Sequence, residues 1–142
     1  MIRHDLDGAG IEVQLELASD LAQVHAHRGQ LQQVLLNLVR NAADAMRGLA
    51  GPAVLRISSR PHGAKGVAVA VADWGVGIAA EHAGRIFDPF FTTKPHGMGI
   101  GLAVCRSIAE AHGGSLTASP GVPRGAVFDL ALPGMVAPPR RL

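Results

Sequence analysis

The sequence predicts a two-layer α/β sandwich with helices on one face of a sheet. Two observations carry this. Hydrophobic spacing switches between a period of two and a period of 3.6 along the chain, and glycine or proline marks each switch. The resulting order is strand, helix, two strands, a long irregular stretch, helix, two strands. Length fits one such unit: 142 residues, 48% hydrophobic and 17% charged, make a domain with a real core and exclude a disordered tail.

Ile11, Val13, Leu15 and Leu17 alternate with Glu12, Gln14 and Glu16, as in a strand with one wet face. From Leu31 the spacing turns helical. Leu31, Val34, Leu35, Leu38, Ala42, Ala45 and Met46 share a stripe about 120° wide, and Gly48, Gly51 and Pro52 end the helix. Two β-rich runs follow, Ala53 to Ser59 and Val67 to Asp73, with Pro61, His62 and Gly63 between them as the turn of an antiparallel hairpin. The chain then becomes irregular, with one short helix expected from Glu81 to Ile86. Irregular stretches of this length inside a domain are often functional. Leu102, Ala103, Cys105, Ile108 and Ala109 restore helical spacing up to Gly113 and Gly114. Strands at Ser115 to Ala118 and Ala126 to Leu132 complete the domain, which is expected to occupy 11–133, between a disordered stretch or linker start at 1–10 and a flexible tail at 134–142.

Composition removes several classes of function. A net charge of +2, with lysines and arginines scattered, argues against nucleic-acid binding. One cysteine, Cys105, cannot form an internal disulfide, which suits a reducing, cytoplasmic location. The longest apolar run, around Val67 to Ala72, falls far short of the roughly 20 residues of a membrane span, and the first residues lack a signal-peptide core. No direct membrane contact is expected of this domain.

Three segments carry chemistry. In the first helix Asn37, Asn41 and Asp44 line up along one edge of the apolar stripe. Helix interiors disfavour asparagine, and an amide oxygen is a hard ligand suited to Mg²⁺. In the second segment Asp73 ends an apolar strand and is followed by Gly75 and Gly77, so a carboxylate can meet a ligand amine where the backbone approaches closely. Gly75, Gly77 and Ala80 also match a dinucleotide fingerprint, but Pro89 cuts off the long helix it needs and no acidic residue lies between Asp88 and Glu110. A P-loop motif is absent. In the third segment Gly97, Gly99 and Gly101 precede a helix and offer backbone N–H groups to phosphates, with Lys94 as a point charge. Phe87, Phe90 and Phe91 in front of them suit anchors of a loop that moves.

NLVRNAADAM (37–46), DWGVGI (73–78), IFDPFFTTK (86–94) and GMGIGL (97–102) resemble, in order, the N, G1, F and G2 boxes of the ATP-binding domain of sensor histidine kinases, in the GHKL superfamily. EAHGG and GAVFDLALP match as well, and the F box is most similar to those of nitrogen-regulation and oxygen-sensing kinases. The resemblance implies the Bergerat sandwich, with a mixed sheet. It implies that ATP and Mg²⁺ bind here. Asp73 would meet the adenine amino group, Gly75 and Gly77 would floor the pocket, and Ile78 would lie against the base. Asn41 would hold Mg²⁺ with Asn37 beside it near the phosphates. Gly97, Gly99, Gly101 and the adjoining Leu102 would wrap the phosphates from a mobile lid, with Lys94 meeting them there.

Some positions depart from the family pattern. Trp74 stands where many members have Asn or Thr, Ala126 where many have Thr, and Asp44 where other branches are basic. The last leaves more of the phosphate neutralisation to Lys94 and the metal. The implied partners are a histidine-containing dimerisation domain and, downstream, a response regulator. The domain alone is expected to be a monomer and the full-length kinase a homodimer. His4 only echoes a phosphoacceptor motif, because Gly8 and Gly10 break any helix and the proline is missing. His25 and His27 are expected at the surface, His112 as a charged helix end, and Cys105 in the core. Two other outputs use the same pocket: an ATP-hydrolysing machine and a non-enzymatic nucleotide sensor.

Overall fold

The computed structural model describes residues 10–21, 23–24, 26–92 and 101–134. Among these residues seven elements follow in chain order: β1 (Glu12–Leu17), α1 (Arg28–Met46), β2 (Val54–His62), β3 (Gly66–Asp73), α2 (Gly101–Ala111), β4 (Ser115–Pro120) and β5 (Ala126–Leu132). The expected linker and tail fall outside the described residues, Gly10 and Gly134 apart. So do Lys94, Gly97 and Gly99, and with them the expected lid, as well as His4 and His25.

The five strands form one sheet in the order β1-β2-β3-β5-β4. β1 pairs parallel with β2 and every other pair is antiparallel, so the sheet is mixed. Parallel pairing requires a crossover, and α1 supplies it. The register explains the core. Ile57, Val71, Phe128 and Ala118 are direct neighbours across β2, β3, β5 and β4, all on the face toward the helices. Val34, Leu38, Ala42 and Met46 of α1 and Cys105 and Ala109 of α2 cover that row, and the two helices touch each other. Each large side chain so buried contributes about 1.5 to 3 kcal/mol.

The structure departs from the sequence pattern in five places. Leu15 and Leu17 are 51% and 61% exposed, because the apolar face of the edge strand β1 runs on past the helix layer, which reaches only Ile11 and Val13. Val39, outside the expected stripe, is buried, while Leu31, Leu35 and Ala45 are half-buried. β2 continues through Pro61 and His62; β1 ends opposite Ser59, so no strand on that side needs the missing proline N–H. The expected helix at Glu81 to Ile86 is a chain of tight turns instead, with Arg85 N donating to His82 O and Asp88 N to Arg85 O. These three-residue steps close no α-helical ring. His112 is not a charged helix end. It donates from Nδ1 to Ile108 O at 2.8 Å and accepts the His27 N–H on Nε2 at 2.9 Å, which requires the neutral ring. His27 is exposed, as expected, and caps α1 by accepting the Gln30 N–H on Nδ1.

Candidate functional site

Asp73 is the last residue of β3 and is only 1% exposed. Its Oδ1 accepts the Gly75 N–H at 2.8 Å and the Ala126 N–H at 3.4 Å, so the side chain cannot swing. No described residue bonds Oδ2. Burial pushes the carboxyl above the ordinary carboxylate range, and the two N–H groups pull partly back.

The turn after Asp73 is pinned to α1. Val76 N donates to Ala45 O at 3.1 Å, and a Cβ on Gly75 would stand 2.6 Å from that same carbonyl, so only glycine lets the turn approach. Gly125 has the matching role from the other side. Its φ is +91°, and a Cβ there would collide with the backbone and side-chain oxygens of Asp73. Arg124 fixes this loop by donating to the carbonyls of Trp74, Pro52 and Ala50 at 3.0, 3.2 and 3.4 Å. Gly125→Ala is therefore expected to cost about 1 to 3 kcal/mol through strain and displaced oxygens, lowering the melting temperature by several degrees. An unchanged melting curve would contradict this account of the loop.

Above this floor lies a cleft of about 660 Å³. One wall is α1, with Asn37, Arg40, Asn41 and Asp44; the other sides are the 76–79 segment, His82, Ile86, Phe91, Thr92, the start of α2 and Phe128. The cleft thus gathers Asn37, Asn41, Gly77, Ile78, Gly101 and Leu102 of the expected site residues, whereas Asp73 and Gly75 do not line it. Asn37 is further constrained: its Nδ2 donates to Cys105 Sγ at 3.7 Å. Cys105 is fully buried, as expected, and burial pushes its thiol up, so it is inert packing between the helices.

Phe87 meets Phe128 edge-on at 6.3 Å, and Phe91 lies 5.2 Å from the His82 ring with the Arg85 guanidinium 4.8 Å over it. These two aromatics anchor the segment before residue 93. Phe90 does not; it is 74% exposed with φ +67°.

Sequence reasoning missed Arg40, His82, Arg124 and Gly125. Arg40 stood inside a recognised motif, and its place in the helical wheel next to Asp44 was a usable signal. Arg124 and Gly125 act through backbone carbonyls and close approach, which leave no side-chain pattern.

Among the described residues no three His, Cys, Asp or Glu side chains gather as metal ligands. The donors on α1 are instead amide oxygens with one carboxylate. That set fits Mg²⁺, which keeps several waters and takes further ligands from substrate phosphates.

A family model described as histidine kinase-, DNA gyrase B- and HSP90-like ATPase matches residues 26–135, and the chain belongs to this family, in its sensor histidine kinase branch. Sensor protein TdiS of Thauera aromatica is 38% identical over 91% of this chain and 24% of its own length. Sensor histidine kinase ZraS of Escherichia coli K12 is 38% identical over 94% of this chain and 28% of its own. The chain thus spans about a quarter of the length of these curated relatives. Among solved structures, the nucleotide-free catalytic domain of histidine kinase ThkA superposes with a TM-score of 0.81 at 32% identity, covering 93% of this chain and 86% of that one. ThkA is also known in complex with the response regulator protein TrrA, at TM-score 0.76, 30% identity and coverage of 94% and 37%. Full-length ShkA in complex with AMPPNP matches with a TM-score of 0.79 at 30% identity, over 92% of this chain and 27% of that one. Among the described residues no helix is long and apolar enough to cross a membrane.

Proposed function

We propose that this domain binds MgATP and delivers the γ-phosphoryl group to a histidine on a separate dimerisation domain, as the catalytic unit of a two-component sensor kinase. The observation that carries it is Asp73, a buried carboxylate with one oxygen fixed by two N–H groups and the other without a partner among the described residues, at the end of the strand that leads into the 76–79 side of a cleft walled by paired asparagines. Such a carboxylate suits the exocyclic amine of adenine, and a ring would lie between Ile78 and the glycines at 75 and 77. Asn41, with Asn37 beside it, faces the phosphate end, and Lys94, Gly97, Gly99, Gly101 and Leu102 would close over that end.

Mg²⁺ would be held by Asn41 and would neutralise charge on the phosphates. The protein's share is positioning. Its sites sit on α1 and β3, both packed into the core, so little reorganisation is needed when the reacting groups meet. No side chain on the α1 wall can take a proton from water at the γ-phosphate position except Asp44, which is paired with Arg47 at 3.1 Å. That arrangement suits transfer to an incoming histidine better than hydrolysis. The full-length protein would be a homodimer whose kinase domain lies in the cytoplasm and whose phosphohistidine serves a response regulator.

Calorimetry tests the first step. ATP is expected to bind one per chain, and chelating Mg²⁺ should weaken that binding. A folded chain that takes up no ATP under either condition would refute the proposal.

A further inference from the structure

The α1 wall of the cleft carries a cation that stands apart from the residues assigned so far. An α-helix turns about 100° per residue, so Arg40, Asp44, Asn37 and Asn41 succeed one another across an arc of about 100°. All four line the cleft, and Arg40 lies at the solvent border of the arc, on the side away from the buried Val34, Leu38 and Ala42.

The inventory of nearby cations singles it out. Among the described cleft-lining residues Arg40 is the one lysine or arginine. It makes no ion pair or hydrogen bond with a described residue. The neighbouring arginines are engaged: Arg47 pairs with Asp44 at 3.1 Å, Arg85 lies 4.8 Å over the Phe91 ring and Arg106 5.2 Å over the Phe87 ring. A nucleoside triphosphate entering the cleft brings several negative charges to this wall. A guanidinium offers a planar fork matched to phosphate oxygens, and a concave wall strengthens its field at the mouth. The Arg40 backbone belongs to a 19-residue helix fixed in the core, so binding has only the side chain to order.

We infer that Arg40 is a phosphate-binding residue of this cleft, one that makes affinity rise with the number of phosphates on the nucleotide. The inference rests on the nucleotide reading of the cleft above. Arg40 gathers the anionic end from the helix wall, whatever Lys94 adds from its own segment.

The test is calorimetric titration of the whole chain and of its Arg40→Ala, Arg40→Lys and Arg40→Glu variants with adenosine, ADP and ATP in the presence of Mg²⁺. Arg40→Ala should weaken ATP at least fivefold, ADP less, and adenosine by under twofold. Arg40→Lys should recover part of the ATP affinity, and Arg40→Glu should lose more than Arg40→Ala. The loss in ATP affinity should shrink as salt is raised, because the charge is exposed. Adenosine affinity also reports that each variant is folded. ATP affinity unchanged in Arg40→Ala, or an equal loss for adenosine and ATP, would overturn this role while leaving nucleotide binding in place. A wild-type chain that binds none of the three would overturn the reading of the cleft together with it.

Discussion

Asp73→Asn is expected to remove nucleotide recognition in a chain that stays folded. Oδ1 already accepts the N–H groups of Gly75 and Ala126. An asparagine must keep its oxygen there, because its NH₂ has nothing to accept with. The NH₂ then takes the place of Oδ2 and meets the adenine amine donor to donor, leaving both unpaired. A hydrogen bond to a charged group is worth about 1.5 to 3 kcal/mol, so ATP affinity should fall at least tenfold.

The same change should not harm the empty domain. Because burial raises the Asp73 pKa in the folded state, the folded chain holds more protons than the unfolded one between the ordinary carboxylate value and the raised one. Asp73 therefore contributes stability that is full at low pH and lost as pH rises through the raised value. At neutral pH the buried charge is a cost that asparagine lacks. Thermal unfolding of ligand-free Asp73→Asn at pH 7 should occur at or above the wild-type temperature. Unchanged ATP affinity in this variant would contradict the assignment of Asp73.

Asn37→Glu is expected to turn a poor hydrolase into a measurable one. An amide cannot accept a proton at neutral pH, whereas a carboxylate on the cleft wall can act on water. General-base assistance is worth roughly 10² to 10⁴ in rate. Some of that gain will be lost, since glutamate forfeits the bond to Cys105 and adds charge near Asp44. ATP turnover should still rise at least about tenfold, a fraction of that full effect. Circular dichroism should remain that of the parent. Phosphate release no faster than in the parent would show that position 37 does not face the reacting phosphate.

How far the sequence could be read depended on the kind of interaction. Among the described residues, period and punctuation located each strand and each helix, because burial of Val34, Leu38 and Val71 imposes spacing on the chain. The α1 asparagines were visible for a related reason: polar residues beside a buried stripe break its pattern. Segment 79–91 misled, since its turns satisfy local backbone bonds without a buried stripe of their own. Leu15 and Leu17 misled because alternation cannot tell where a covering layer ends. Arg124 and Gly125 were illegible because what they fix is the backbone of Trp74 and Asp73, contacts that span about fifty residues and depend on the finished fold.

The central claim is that this cleft holds ATP for a histidine and not for water. The most direct measurement follows γ-labelled phosphate from ATP, with the chain alone and with a histidine-containing helical dimerisation domain of a related kinase added. Alone, the chain should release phosphate very slowly and carry no label. With the added domain, an acid-labile, base-stable label should appear on that domain, and its appearance should require Asp73 and Asn41. Brisk phosphate release by the unmodified chain, lost on replacing Asn41 or Asp73 and with no label on the added histidine, would contradict the kinase account and favour an ATP-driven machine.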